Sequence, residues 1–548
     1  MALVIEDLNE NKTTSREKRN KKSLLALPLA FFLFIIVKDA WLSDDAYITF
    51  RVVDNILHGY GLTWNTDERV QTYTHPLWML CLSLVSFCTH EFYYSSLVLS
   101  ITMSLIAVAL FSLYLARSAL LATLGIMALA ASKSFVDFST SGLENPLTYL
   151  LIVIFMLVFY HGQRKEHYVL WLALIAGLAT LNRIDTLLLF LPALTVVFCQ
   201  FPGWKSMKAL LLGFLPFLCW EAFSLCYYGF LFPNTAYAKL NTGIDSAQLF
   251  SQGIRYFISS FIFDPLIFVI ISASMLVLLQ QKVWKDLPFL IGMGLYLLYT
   301  LNIGGDFMAS RFLTEPFLIA VILLARTSFP LSKLNWLLTF AIILLFGIAT
   351  PNSRWYPLIK NNTRIDQRGV ADERAFYLDA TALVKVEHIT LWPNSVWLRE
   401  GLQAKQSGKH VVVRSTIGFF GFAAGPHVHV VDIWALGDPL LARLPEGEAQ
   451  DSESIRRWAY DASLTNLPGL PRWRIGHFTR SMPAGYLETL ESGKNVIHDK
   501  QLALYYSKLQ EVTRGPLFDI ERWVDIWKFN TGGYDYLLSH YSQGVHRL

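Results

Sequence analysis

No cysteine follows Cys226 in a chain of 548 residues. The second half therefore folds without a disulfide, and Cys81, Cys88, Cys199, Cys219 and Cys226 have no zinc-ligand spacing. Charge is scarce too. Charged residues make up 16% of the chain and hydrophobic residues 53%, which excludes an ordinary soluble fold for most of its length. The net charge of +4 is too small to point to a nucleic acid partner. No small-residue cleavage site follows the apolar run 24–37, so that run reads as a retained helix rather than a signal peptide. There is no internal repeat.

What the chain does have is a succession of long apolar runs between residues 24 and 350, followed by a segment of ordinary soluble composition. The tail 1–22 ends in Arg16, Lys18, Arg19, Lys21 and Lys22, a basic cluster that holds the N-terminus in the cytoplasm. Spans are expected at 23–41, 96–116, 119–138, 145–161, 168–182, 185–200, 207–226, 262–280, 286–302, 312–326 and 334–350, about 11 helices at roughly 20 residues per crossing. The short run 76–88 reads as a helix lying in the interface. With this count every inner loop carries Lys or Arg, and the soluble segment 351–548 is exported. The expected fold is an α-helical polytopic membrane bundle, 23–350, with a first outer loop at 43–95. The exported mixed α/β domain has strands at 410–416 and 428–433 and helices at 451–460 and 484–490.

Asp44 and Asp45 sit just beyond the first span, roughly 10 Å past Val37 at a helical rise of ~1.5 Å per residue. A carboxylate at headgroup depth suits a general base acting on a hydroxyl beside a lipid phosphate. The pair would serve equally as a cap for the helix that follows, or hold a divalent cation weakly. Asp44, Tyr47 and Arg51 share a helix face by three- and four-residue spacing. Arg51 is therefore a phosphate ligand, or the partner of Asp44 or Asp54 in an ion pair. Further outer turns carry Ser141-Gly-Leu-Glu-Asn-Pro146, Asn182-Arg-Ile-Asp185, Phe232-Pro-Asn-Thr-Ala-Tyr-Ala-Lys239 and Gly304-Gly-Asp-Phe-Met-Ala-Ser-Arg311. Polar clusters on one rim of an apolar bundle favour a site there, although any one of them is also an ordinary capped turn. Arg183, Lys239 and Arg311 are candidate phosphate ligands.

These stretches, with Thr72-Tyr-Thr-His-Pro-Leu-Trp78, Gly418-Phe-Phe-Gly-Phe-Ala-Ala-Gly-Pro426, Asp432-Ile-Trp-Ala-Leu-Gly-Asp-Pro439, Leu441-Ala-Arg-Leu-Pro445 and Arg474-Ile-Gly-His477, form an ordered set. The chain resembles the GT-C glycosyltransferases, and within them the polyprenyl-phosphate-dependent D-arabinofuranosyltransferases. That group includes terminal β-(1→2) enzymes of arabinogalactan synthesis and enzymes that glycosylate type IV pilins. The resemblance implies a catalytic acid at Asp44 or Asp45, a polyprenyl-phospho-arabinose donor drawn from the membrane lipid, and an extracytoplasmic glycan or pilin-like protein as acceptor. It implies a bacterial inner-membrane location. Arg51, His75, Glu144, Arg183, Asn234, Lys239, Asp306 and Arg311 fall in the matching donor motifs, and Asp432, Asp438, Arg443 and His477 in the exported domain. Relatives often read Val-Glu-Gly-Tyr-Thr where this chain has Val70-Gln-Thr-Tyr-Thr74, a departure that bears on acceptor preference. Three rival classes are a lipid-linked sugar flippase, a glycan polymerase or ligase using a diphosphate donor, and a glycan-binding scaffold. The flippase would show charge deep in the bundle and repeat symmetry; neither is apparent from the sequence.

Overall fold

The computed structural model of the chain describes residues 15–163, 167–240, 242–327, 369–385 and 393–447, residues 473–539, and positions 339, 341–343 and 345–347 between them. The described residues are mostly helical, with two short two-stranded sheets among them. It divides into two compact units. The first comprises residues 1–42, 93–218 and 250–387, and the second 43–92, 219–249 and 388–548.

The first unit is a set of apolar helices. Tyr93–Leu115 is long and apolar enough to cross a membrane by itself. Two bent pairs qualify if each is one span: Trp204–Gly213 with Leu215–Tyr227, broken by 54°, and Ser246–Phe263 with Pro265–Gln281, broken by 105°. Asn145–His161, Tyr168–Asn182 and Leu287–Asn302 are apolar but shorter. Thus one to three spans meet the length criterion among the described residues, against the eleven expected, because several apolar runs end in Pro, Gly or polar breaks before a full crossing. The expected span 334–350 lies mostly outside the described residues. Leu211, Leu212, Leu276, Leu279 and Leu298 nonetheless point outward, as side chains in contact with lipid would.

The expected span 119–138 divides at Ser132 into Ala119–Ala131 and Lys133–Asp137. Lys133 pairs with Asp137 and, at 3.3 Å, with Asp372. Arg374 donates to Asp39 Oδ1 at 3.0 Å and lies 3.7 Å from Asp137. Buried charge is therefore present in this unit, contrary to the sequence reading. It is paired, and it ties residues 372–374 to the end of the first helix, Ser15–Lys38, which suits a clasp better than a transport path.

The second unit gathers three separated stretches, and the described residues 369–385, which lie beyond the expected boundary at 350, go with the first unit. The expected strands appear as Val411–Arg414 and His429–Asp432, paired in parallel with Val411 opposite His429. The helix Gly418–Ala424 makes the crossover between them. Beneath lies a core of Val411, Val413, Val431, Leu441, Tyr486 and Leu509. The helix expected at 484–490 is Tyr486–Ser492, and the one at 451–460 lies outside the described residues. Pro76–Thr89 is a 14-residue apolar helix of this unit, too short to cross.

Candidate functional site

The helix that carries the acidic pair is Asp44–Leu57. Ser43 caps it, accepting from the Ala46 N–H, so neither aspartate is the cap. Asp44 instead faces the helix Gly418–Ala424, taking the Gly418 N–H on Oδ2 at 3.0 Å and the Phe419 N–H on Oδ1 at 2.7 Å. It fills the role of an anion at a helix N-terminus. Gly418 permits this approach: a Cβ there would lie 1.9 Å from the Asp44 carbonyl oxygen. Burial pushes the Asp44 carboxyl up to about 7, with the two N–H groups opposing the shift and Asp45 reinforcing it.

Arg51 lies on the same face, and its expected role as a phosphate ligand does not fit its surroundings. Nε donates to Trp64 O, Nη1 to Gly421 O and Nη2 to Val428 O, each at 2.8 Å, and the guanidinium stacks 4.4 Å from the Trp64 ring. Nor does it pair with Asp44 or Asp54. Tyr47 packs against Phe419 with ring centroids 4.6 Å apart. Asp44, Tyr47 and Arg51 do share one face, and that face receives a helix rather than a ligand. Asp45 is half-buried. His75 shares a hydrogen bond with Thr49 Oγ1 at 2.8 Å.

As a divalent-cation site the aspartate pair fits poorly. Asp44 engages both oxygens with backbone N–H groups, and among the described residues no cluster of three or more His, Cys, Asp or Glu is arranged to hold a metal.

In the first unit, three of the four later turns converge. Glu144 Oε1 accepts from Arg311 at 2.7 Å and lies 3.4 Å from Arg183. Arg183 also pairs with Asp185, and Arg311 approaches Asp306 at 3.6 Å. Phe312 lies beneath both guanidiniums. The structure thus brings Glu144, Arg183, Asp306 and Arg311 together. It adds Asp185, and also Glu315, which accepts from Asn145 at 2.8 Å and which the sequence reading passed over because it lies inside an expected span. Two guanidiniums here pair with three carboxylates, Glu144, Asp185 and Asp306, so this is an ion-pair network and not a bare phosphate cradle.

The turn at Asn234 belongs to the second unit. Its amide donates to the carbonyls of Ala435, Leu436 and Asp438, and its Oδ1 accepts from Arg443 at 3.2 Å. Ala435 is held at φ 62°, a left-handed conformation that costs a non-glycine residue about 1 kcal/mol. Asp432 closes the same loop by accepting from the Trp434 and Leu436 N–H groups. Asp438 accepts from the Leu441 N–H and the Tyr486 hydroxyl. Burial pushes Asp432 up to about 7 and Asp438 up to about 6. His477 packs edge-on to Trp434, and burial, with Arg474 and Lys239 nearby, drives its pKa well down. Lys239 is half-buried on the helix Asn234–Leu240.

Arg443 is the member of this group that keeps donors available. Its guanidinium sits between the rings of Phe230, 4.1 Å away, and Tyr237, 4.6 Å away, and among the described residues only Nη1 donates. It lines a narrow cleft with Arg69, Gln71, Asn234 and Phe232, a wall that contains no carboxylate. No sequence pattern announced this cleft, since its wall comes from four separate stretches.

The chain matches no family model. No solved structure matches it. Two curated proteins do. A terminal beta-(1->2)-arabinofuranosyltransferase of Mycobacterium tuberculosis is 26% identical over 501 residues, which covers 73% of this chain and 78% of that protein. A protein of the same description from Corynebacterium glutamicum is 27% identical over 397 residues, covering 62% of this chain and 56% of its own length. The resemblance expected from the motifs is thus a measured one: this chain is similar over most of its length to terminal arabinofuranosyltransferases.

Proposed function

We propose that this protein transfers a D-arabinofuranosyl group from a polyprenyl phosphate to a hydroxyl of an extracytoplasmic glycan or pilin-like protein at the bacterial inner membrane. Asp45 is the general base. It takes the acceptor proton, the acceptor oxygen bonds to the anomeric carbon, and the bond from that carbon to the phosphate oxygen breaks. Polyprenyl phosphate leaves with the electron pair. No step is routed through a cation.

The observation that carries this reading is the division of labour in the acidic pair. Asp44 is committed to two backbone N–H groups, whereas Asp45, its immediate neighbour, is only half-buried. A fixed strut beside a carboxylate with access to substrate is what positioning a general base requires. Arg443 and its cleft suit the acceptor, because a guanidinium with an open edge binds hydroxyl and anionic groups without displacing an ion pair.

The test is transfer from a synthetic lipid-phospho-arabinose by protein in nanodiscs. Asp45→Asn should cut turnover by roughly 10²–10⁴-fold without loss of folded protein. Asp44→Asn should act first on stability. Full turnover in Asp45→Asn would remove the assignment.

A further inference from the structure

The helix Ile520–Asn530 in the second unit is inside out for a helix in water. Its inward face holds Arg522, Asp525 and Ile526. Its outward face holds Ile520, Trp523, Val524 and Trp527, which are 78%, 37%, 44% and 66% exposed, and Phe518 just before it is 83% exposed. Spacings of three, four and seven residues put the outward four in one stripe. On a helix in water that stripe would face the core and the charges would face out.

The buried charges say where the helix is fastened. Arg522 donates to the carbonyls of Cys226 and Tyr227 at 2.9 and 3.0 Å, and to Val512 O at 2.9 Å. Asn530 donates to Gly229 O at 2.8 Å. Asp525 is met by Lys508 at 3.3 Å and by the Tyr534 hydroxyl. Cys226 and Tyr227 are the last residues of Leu215–Tyr227, the second arm of a bent apolar pair long enough to cross a membrane. The stripe is therefore pinned at the level where an apolar helix ends. That is the interfacial zone of a bilayer, where tryptophan is enriched.

We propose that Ile520–Asn530 lies in the bilayer interface and inserts its Ile-Trp-Val-Trp stripe, with Phe518, into the boundary between headgroups and acyl chains. The occupant of this face is lipid. Binding runs through apolar insertion rather than charge, since the outward stripe itself carries no basic residue. It holds the cleft-bearing unit close to the surface on which a lipid-linked substrate would arrive. The inference rests on the membrane reading of the chain and not on the proposed glycosyl transfer.

The test uses the full-length protein in nanodiscs, with its five cysteines replaced and an environment-sensitive fluorophore on Trp527→Cys. A doxyl lipid labelled near the headgroup should quench it by roughly half or more, as burial about 5–10 Å into the boundary requires, and aqueous iodide should not. A label on Lys494→Cys, an exposed site in the same unit, should respond only to iodide. Quenching of the Trp527→Cys label by iodide alone would place the stripe in water. Protection from both quenchers would place it under protein, a second copy of this chain included. Either result overturns the proposal. A label on Leu212→Cys, an outward position on the candidate span, separates failure of this inference from failure of the membrane reading, since only the latter abolishes lipid quenching at both sites. The unaltered chain gives a second measurement: a photoreactive headgroup lipid should form adducts within 518–527.

Discussion

Two clusters of buried charge, one in each unit, are handled in opposite ways. At Asp44 and Arg51 in the second unit the main chain satisfies it: Asp44 takes two N–H groups, and Arg51 gives to three carbonyls. Around Glu144 in the first unit side chains satisfy side chains, with Glu144 shared between Arg183 and Arg311, and Asp185 and Asp306 at the flanks. Main-chain partners cannot rotate away, so the first arrangement fixes geometry. Side-chain partners exchange at modest cost, so the second leaves room for a ligand to replace one of them. Rigidity is thus assigned to the turn that carries Asp45, and adaptability to the Glu144 network.

The hardest way to break that contrast is Arg51→Met. It removes the guanidinium from three buried carbonyls, of which Trp64 O keeps a donor in Asn55 Nδ2 at 3.2 Å, and loss of folded protein is expected, with a cost of about 3–5 kcal/mol. Chromatography and thermal unfolding of the purified variant would read it. Arg51→Lys should rescue little, because one ammonium cannot reach three diverging carbonyls beside an indole. Gly418→Ala should come next, by forcing the two helices apart at a 1.9 Å contact, with a loss of roughly 2–3 kcal/mol. Arg311→Ala sharpens the other side of the comparison. If the network is adaptable, folded yield should hold while transfer falls by about ten- to a hundred-fold. Collapse of the fold instead would make that network as structural as the Asp44 seat.

The smallest expected effect is one of pH. Burial pushes Asp44 and Asp432 up to about 7 and Asp438 up to about 6, all above the unfolded value near 4. The folded state then binds more protons than the unfolded state across that window, so stability falls as pH rises from about 4 to about 7. His429, held above its ordinary value by Asp67 in spite of burial, acts in the same direction. The unfolding temperature at pH 6 should exceed that at pH 8 by a few degrees, and Asp44→Asn should remove part of the difference.

Local chemistry was legible in the sequence, and its long-range partners were not. The strands at Val411–Arg414 and His429–Asp432 could be read from β-branched runs, and the polar turns of the first unit from polar residues between apolar runs. The convergence of Glu144, Arg183, Asp306 and Arg311 followed from placing those turns on one rim. The role of Arg51 could not be read, because spacing shows which residues share a helix face and not what that face meets. The same limit hid Ile520–Asn530: periodicity reveals an apolar stripe but not whether it turns inward. The paired charges at Lys133 and Asp137 were lost in an average over a hydrophobic window. The units themselves cross the expected boundary at residue 350, since compactness depends on contacts that composition does not record.

The Asp44 carboxylate and its seat at Gly418 are 374 residues apart in the chain. A ribosome delivers the acidic turn early and its support late, so during synthesis the turn must wait, with its carboxyl hydrated, for most of the polypeptide to emerge. Chains that stop before that point carry the acidic turn without the helix that seats it. The order of synthesis therefore acts as a safeguard: the turn gains its support only once Gly418 has been made.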